Sequence, residues 1–424
     1  MTDVAHRPAA GAPPEAPPPA LRRNRAFRLI WLGSAFSLLG LEAADVAYPL
    51  VVLGLTGSPG WAGLFGAVQL TASLLAGLPV GELLDRHHLP RLLAAAEGLR
   101  LLATTSVAAA LALHGLTLVH LLVVAGVLGL VQPLSGGARM VALRAAVPKE
   151  QLTAALTADE VRSGAAALAG PSLGGFLFGV ARMLPFVATA GFFLVSTLTA
   201  VFLRLPQKEP AGPGTGGAQR YRTRLFAGVG ALWQDVTVRG TVLLVAVLNA
   251  AGAPLVLVTL VVLRTQGAAA WQMGLVMAAM ALGGLAGAVL VRPLHGRLRP
   301  GVLLLGLGVV EAAMFALLTL GWGPGWVAAV LFCSMLPVPA LRVLVDVLIF
   351  RQVPAELRGR VIAGVMTLFT LGAPAGVALS GLLLQTLPPR DALLVLAAVV
   401  AVTVLVALRS RTLRAARWPQ DDGH

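Results

Sequence analysis

Apolar stretches about 20 residues long, nearly free of charge, recur from one end of the chain to the other, and nothing else in the sequence restricts the fold as much. A helix needs about 20 such residues to cross the hydrocarbon core of a bilayer. Soluble domains use roughly 45–50% apolar residues, whereas this 424-residue chain is 57% hydrophobic and only 12% charged, with mean hydropathy +0.85. No soluble interior could hold that surplus. Spans are predicted at 29–53, 60–84, 91–113, 116–136, 157–180 and 184–203, then at 240–263, 273–291, 302–320, 325–350, 361–384 and 392–408. The expected fold is all-α: a polytopic membrane protein of about twelve transmembrane helices.

The segments between the spans are polar. Residues 1–25 form a Pro-rich tail without the apolar core of a secretory signal, and the expectation is a disordered, cytoplasmic segment. A six-helix half over 26–205 precedes a Pro/Gly-rich linker at 206–238, a second six-helix half over 239–409, and a short tail at 410–424. The formal charge of +14 would suggest nucleic acid in a soluble protein, but its distribution argues otherwise. With the N-terminus taken as cytoplasmic, 26 of the 32 Lys and Arg fall on that side, so the positive-inside rule places both termini in the cytoplasm of an inner-membrane protein. No nucleic-acid partner is expected. The single cysteine, Cys333, leaves no disulfide framework or cysteine metal site within one chain.

A repeat is visible at an offset of 206 positions: Gly81, Arg86 and Arg91 match Gly287, Arg292 and Arg297, while Val147, Pro148, Glu150, Gly170 and Gly175 match Val353, Pro354, Glu356, Gly376 and Gly381. Six intervening spans keep the copies in one orientation, so the halves are parallel repeats about an axis along the membrane normal, with room for a substrate site between them near mid-membrane. No phosphate-binding loop, paired-His metal motif or cytosolic nucleotide-hydrolysing domain is found. An enzyme is not expected, nor is a metal or other cofactor.

Charges inside spans are costly and are candidates for function. Glu42 and Asp45 lie three apart in the first span and share a helical face. Two carboxylates so close in a low-dielectric site repel one another, which favours one holding a proton near neutrality, as a proton-coupling site requires. A structural reading, in which one of them pairs with Arg342 and ties the halves together, stays open. Arg342 and Asp346, four apart in the tenth span, could pair with each other. Glu97 and Arg100 are three apart in the third span, where a structural pair is favoured over a substrate contact. Asn249, Gln132 and His120 read first as interhelical glue, Tyr48 and Phe36 as pocket walls, and Trp31 as an interfacial anchor. Glu311, in the ninth span, has no evident partner.

Three motifs carry a resemblance. The loop Gly81-Glu82-Leu83-Leu84-Asp85-Arg86, continuing to Arg91, resembles the signature between the second and third spans of the major facilitator superfamily. Gly81 would permit close helix approach, and Asp85 could pair with an Arg or a helix N-terminus. His88-Leu89-Pro90 stands where that family more often has glycine and a basic run. The resemblance implies that the loop latches onto the start of the eleventh span, with Glu356, Arg358 and Arg360 as candidate partners. Gly170-Pro171-Ser172-Leu173-Gly174-Gly175 resembles the glycine-proline element of the family's antiporters, although close helix packing alone would explain it too. Residues 25–32, 147–152 and 353–361 are similar to the macrolide-efflux and enterobactin-exporter branch, in which an acid-and-arginine pair is frequent at the place of Glu97 and Arg100. Family members commonly carry an Asp after the glycine matching Gly40; here Leu41 stands there, so the proton-carrier role does not transfer directly to Glu42 or Asp45.

The resemblance implies a secondary transporter with alternating access, taking protons and a small amphipathic molecule such as a drug, macrolide or siderophore as its partners, within the lipid bilayer, and a monomer is expected. A facilitator or importer of a metabolite or lysolipid, and a non-transporting membrane sensor or scaffold, are the alternatives.

Overall fold

The structure is a computed structural model that describes residues 21–205, 236–341, 343 and 372–409. Arg342, Asp346, Glu356, Arg358 and Arg360, the N-terminal tail, most of the linker and the C-terminal tail lie outside the described residues. Within them the chain is helical and contains no strand. In the first half, α1 spans Arg25–Thr56, α2 Pro59–Arg86, α3 Leu89–Ala112, α4 Leu118–Ala146, α5 Leu152–Val180 and α6 Leu184–Val201. In the second half, α7 spans Val236–Gly252, α8 Leu255–Thr265, α9 Ala270–Arg297, α10 Pro300–Leu318 and α11 Pro324–Met335, followed by α12 over 372–386 and α13 at Pro389–Arg409. Eleven helical segments among the described residues are long and apolar enough to cross a membrane, with α7 and α8 together making one of them.

Local chemistry sets the helix boundaries. The Asn24 side chain accepts from the Phe27 N–H at 3.1 Å and donates to the Ala146 carbonyl at 2.7 Å, which caps α1 and ties its start to the end of α4. Gly57 ends α1 at φ 68°, a left-handed conformation open to glycine at little cost. Proline in the first turn opens α2, α3, α6, α10 and α11, where the missing N–H would have been unpaired anyway. Boundaries differ from the hydropathy reading in the fourth, fifth, seventh and tenth spans, the tenth turning at Leu336-Pro337. The fourth helix continues past Gly136 to Ala146 and the fifth begins at Leu152, because a helix can carry cations where other side chains compensate them. The seventh span is interrupted by a turn at Ala253-Pro254, since Pro254 has no N–H for the ladder.

The halves repeat, with two registers. Gly170 and Gly376 face α1 and α7 respectively: a Cβ at Gly170 would crowd the Leu39 carbonyl at 3.2 Å, and one at Gly376 would collide with the Ala250 carbonyl. Gly175 lies against Ala270 and Gly274 of α9, just as Gly381 lies against Pro59 and Gly63 of α2. The fifth and eleventh spans are thus related by 206 positions, as the sequence match indicates. Their partners Leu39 and Ala250, Pro59 and Ala270, and Gly63 and Gly274 are each 211 apart. The match of Gly81 with Gly287 at 206 is therefore not structural. The five-residue difference is taken up around α10, which has 19 residues against 24 in α3.

These glycines form the seam between halves. A Cβ at Gly63 would stand 2.7 Å from the Gly381 Cα and 2.9 Å from the Val377 carbonyl, so backbones meet there without side chains between them. The seam between α2 and α12 lies at the end of the bundle opposite the α2–α3 loop.

Candidate functional site

A cavity of about 200 Å³ opens between the halves directly beneath that seam. Leu41, Asp45, Tyr48 and Pro49 of α1, Phe65 and Gln69 of α2, and Gln132 of α4 line it from one side. Ala253 and Pro254 at the seventh-span break and Val377 of α12 line it from the other. Its wall is mostly apolar with a few polar groups, as small-molecule sites usually are. Asp45 is exposed to this space and makes no hydrogen bond or ion pair among the described residues. Tyr48 is 2% exposed, stacks on Phe65 at 5.1 Å, meets Phe186 edge-on at 5.0 Å, and shares a 3.5 Å hydrogen bond with Thr104. Those contacts give the wall beside Asp45 a fixed shape.

The two acids of the first span are placed differently. Asp45 reaches the cavity, whereas Glu42 is half-buried and its Cβ lies against Gly170 of α5. Gly174 faces the backbone of Ala43, and Gly175 faces α9. Gly170, Pro171, Gly174 and Gly175 are all buried, and together they wedge α5 between the helix that carries the acids and the opposite half. Asn249 is exposed, donates to the Val245 carbonyl of its own helix at 3.1 Å, and does not line the cavity. His120 bonds Ser106 at 2.9 Å, Trp31 donates to the Ala158 carbonyl at 3.3 Å, and Phe36 packs on Phe192.

Glu97 and Arg100 belong to a larger buried network. The Glu97 carboxylate meets Arg100 at 3.1 Å and Arg139 at 2.6 Å, and accepts from the Ser135 hydroxyl. Arg100 also donates to Ser37 at 3.1 Å and Ser135 at 3.3 Å and lies over the Phe193 ring, while Arg139 donates to Ser196 at 3.2 Å. Four helices of the first half, α1, α3, α4 and α6, converge on this one carboxylate. Hydropathy places Arg139 in a loop, and the structure brings it inside α4. The signal was Ser135, one helical turn before it on the same face. Gln69 and the Ala253-Pro254 break are further cavity features that sequence reading passed over, although a proline within a span is by itself a recognised cause of kinks.

At the far end of α2, Arg86 pairs with Glu82 at 2.7 Å, and Asp85 and Arg91 are exposed. Among the described residues nothing stands within 4 Å of a Cβ built on Gly81. Gly129 on α4 brings α4 close to α2, against the Gln69 carbonyl.

A bundle of this kind, with a cavity between two repeated halves, has the plan described for membrane transporters built from parallel repeats. The sequence model of the Major Facilitator Superfamily matches residues 30–345, and the chain belongs to that superfamily. It is accordingly a transporter and not an enzyme. No curated protein matches it by sequence. Among solved structures, the nucleoside transporter NupG superposes with TM-score 0.72 at 12% identity, over 92% of this chain and 100% of that one. A bacterial homologue of the human lysosomal transporter Spinster, inward-facing and unoccupied, gives 0.70 at 15% identity over 94% and 99%. A bacterial homologue of the iron transporter ferroportin, inward-facing, gives 0.70 at 16% over 91% and 98%. Identities this low establish a shared fold and leave the substrate to be argued from the site.

Proposed function

We propose that the protein is a proton-coupled exporter of a small amphipathic molecule, a monomer in the inner membrane with both termini cytoplasmic. In this reading the halves at 26–205 and 239–409, joined by the 206–238 linker, rock about the central cavity. The observation that carries it is the Asp45 carboxylate, exposed in an otherwise largely apolar cavity under a glycine seam that closes one end of the bundle. With the basic loops cytoplasmic, the closed end faces outward, and the cavity is poised to receive substrate from inside.

Asp45 is the group that exchanges the proton, and Glu42 tunes it from one turn away against Gly170. Protonation from outside neutralises Asp45 and releases an amphipathic substrate held against Tyr48 and Phe65. Deprotonation toward the cytoplasm restores the charge. The glycine-proline stretch of α5 supports exchange because it couples α1 to α9 across the seam through backbone contacts that slide without side-chain interlock. The loop from Gly81 through Asp85, Arg86 and Arg91, with Glu356, Arg358 and Arg360, is assigned to the latch, and Arg342 and Asp346 are assigned to proton coupling with Glu42 and Asp45, whereas Asn249 bonds its own helix and takes no part in the cavity.

The test is pH-gradient-driven transport in proteoliposomes, using a ligand found by thermal shift of the purified protein against drugs, siderophores and lipids, since a ligand selective for the native state raises its apparent stability. Asp45→Asn should abolish gradient-driven export while leaving substrate counterflow, and Glu42→Gln should shift its pH dependence. Unchanged gradient-driven transport in both variants and in their combination would sink the mechanism. Accumulation rather than exclusion of the compound by expressing cells would overturn the direction.

A further inference from the structure

A half-buried acid inside a span stands apart from this machinery. Glu311 lies mid-helix in α10, and its Oε1 atom is shielded from solvent with no hydrogen-bond partner among the described residues. A Cβ added at Gly252 would stand 3.3 Å from that oxygen, so the carboxyl group rests on the last residue of α7, immediately before the Ala253-Pro254 break. The opposite face of the break lines the central cavity. Glu311 therefore sits behind the one cavity wall made by an interrupted helix.

Among the described residues no charge on the surrounding elements compensates it. Helix α10 carries no other ionisable side chain and packs against α13, α11 and α7. Their titratable and charged groups are Arg390, Asp391 and Arg409 near the ends of α13, Cys333 in α11 and Arg239 in the first turn of α7. Gly308 packs on Val404, which sets Glu311 about 12–15 Å along the helices from the α13 end charges. An ionised carboxylate isolated in such a place is costly, and a bound proton would relieve the cost.

We infer that Glu311 is a second proton-binding site, which keeps its proton while it rests on the seventh-span break and gives it up to water when the break moves and exposes the carboxylate. The ligand is the proton itself, and the device that reads its occupancy is the Gly252-Ala253-Pro254 turn. Two features of the site serve this role. Gly252 interposes no side chain between the carboxyl group and the backbone, and Pro254 leaves the break free of one ladder hydrogen bond, so the turn rearranges without losing that bond. This inference goes beyond the export reading, because it requires neither Asp45 nor any particular substrate.

The test uses full-length protein in lipid with Glu42→Gln, Asp45→Asn and Cys333→Ser, and with spin labels at Trp61→Cys and Leu382→Cys on the two helices of the seam. Raising the pH should shift the distance distribution between the labels, and adding Glu311→Gln should abolish that shift. An unaltered pH response with Glu311→Gln overturns the inference. A response to Na⁺ at fixed pH that vanishes with Glu311→Gln overturns the proton as ligand. Should the Glu311→Gln protein fail to accumulate, infrared pH-difference spectra of the Glu42→Gln, Asp45→Asn protein decide. A protonated-carboxyl band that is lost as pH rises supports the site, and a band that is constant or absent across the range overturns it. None of these readouts involves transport, so failure here and failure of the export reading are separable.

Discussion

The two halves share one architecture and treat an acid inside a span in opposite ways. In the first half Glu97 accepts from two arginines and a serine drawn from α3 and α4. In the second half the register of 211 puts Gly308 at the place of Glu97, Leu248 at that of Ser37, and Glu311 at that of Arg100. The packing agrees: Gly308 lies 3.5 Å from the Leu248 side chain when a Cβ is built on it, while Arg100 reaches Ser37 in the other copy. Among the described residues, one half thus holds a compensated charge cluster at this depth, and the other an acid without an ion pair. The first arrangement locks four helices into one body. The second leaves a group whose charge can change without breaking an ion pair.

The largest expected effect separates these two acids directly. Glu97→Gln strands Arg100 and Arg139 as buried cations and should cost about 3–5 kcal/mol, the usual penalty for breaking a buried pair from one side. If Glu311 holds a proton as proposed, Glu311→Gln exchanges a neutral acid for a neutral amide of the same shape and should change stability by less than about 1 kcal/mol. Thermal unfolding of the purified variants in one detergent checks both. Equal losses would erase the contrast between the halves.

A second pair of substitutions serves as an internal control, because it strikes positions where the copies agree. Gly63→Ala drives a methyl group into the Gly381 backbone, and Gly274→Ala does the same against Ser172 and Gly175, at 3.0 and 3.2 Å from their Cα atoms. Overpacking of this sort costs about 1–3 kcal/mol. Here that cost falls on the closed seam alone, because a seam that opens relieves it. Both variants should shift label distances across their own seam toward separation by an amount equivalent to roughly a tenfold or greater change in the conformational equilibrium, with little loss in thermal stability. A shift at one seam and none at the other would show that the two glycine contacts are not equivalent.

Much of this was legible beforehand, for reasons tied to particular residues. The spans, the basic loops and the glycine run from Gly170 to Gly175 follow from hydropathy, charge bias and small-residue packing, which act locally. Arg139 escaped because hydropathy ends the fourth span at Gly136, and only the carboxylate of Glu97, more than 40 residues earlier in the chain, makes a cation tolerable within the helix. The separation of Glu42 from Asp45 also escaped. Three residues of helix turn them by about 60° from each other, enough for one to face α5 and the other the cavity. The register of 206 was correct for the fifth and eleventh spans and misled in the second and eighth, since a shorter α10 moves everything before it by five positions.

The smallest effects concern one more pair of matched positions. Tyr48 and Thr104 share a long hydrogen bond of 3.5 Å in the first half. The register of 211 sets Thr259 and Phe315 in their places, both fully buried, and the Thr259 hydroxyl has no partner among the described residues. Tyr48→Phe removes a weak bond while keeping the ring on Phe65 and Phe186, so it should destabilise by about 0.5 kcal/mol. Thr259→Val removes a hydroxyl that is buried without compensation and keeps the branched shape, so it should be neutral or stabilising by up to about 1 kcal/mol. Opposite signs for two hydroxyl deletions at matched places, read from thermal unfolding, would extend to single oxygen atoms the contrast set by Glu97 and Glu311. Two losses of the same size would instead mean that the Thr259 hydroxyl is satisfied in the membrane, and that polar compensation differs between the halves only where full charges are involved.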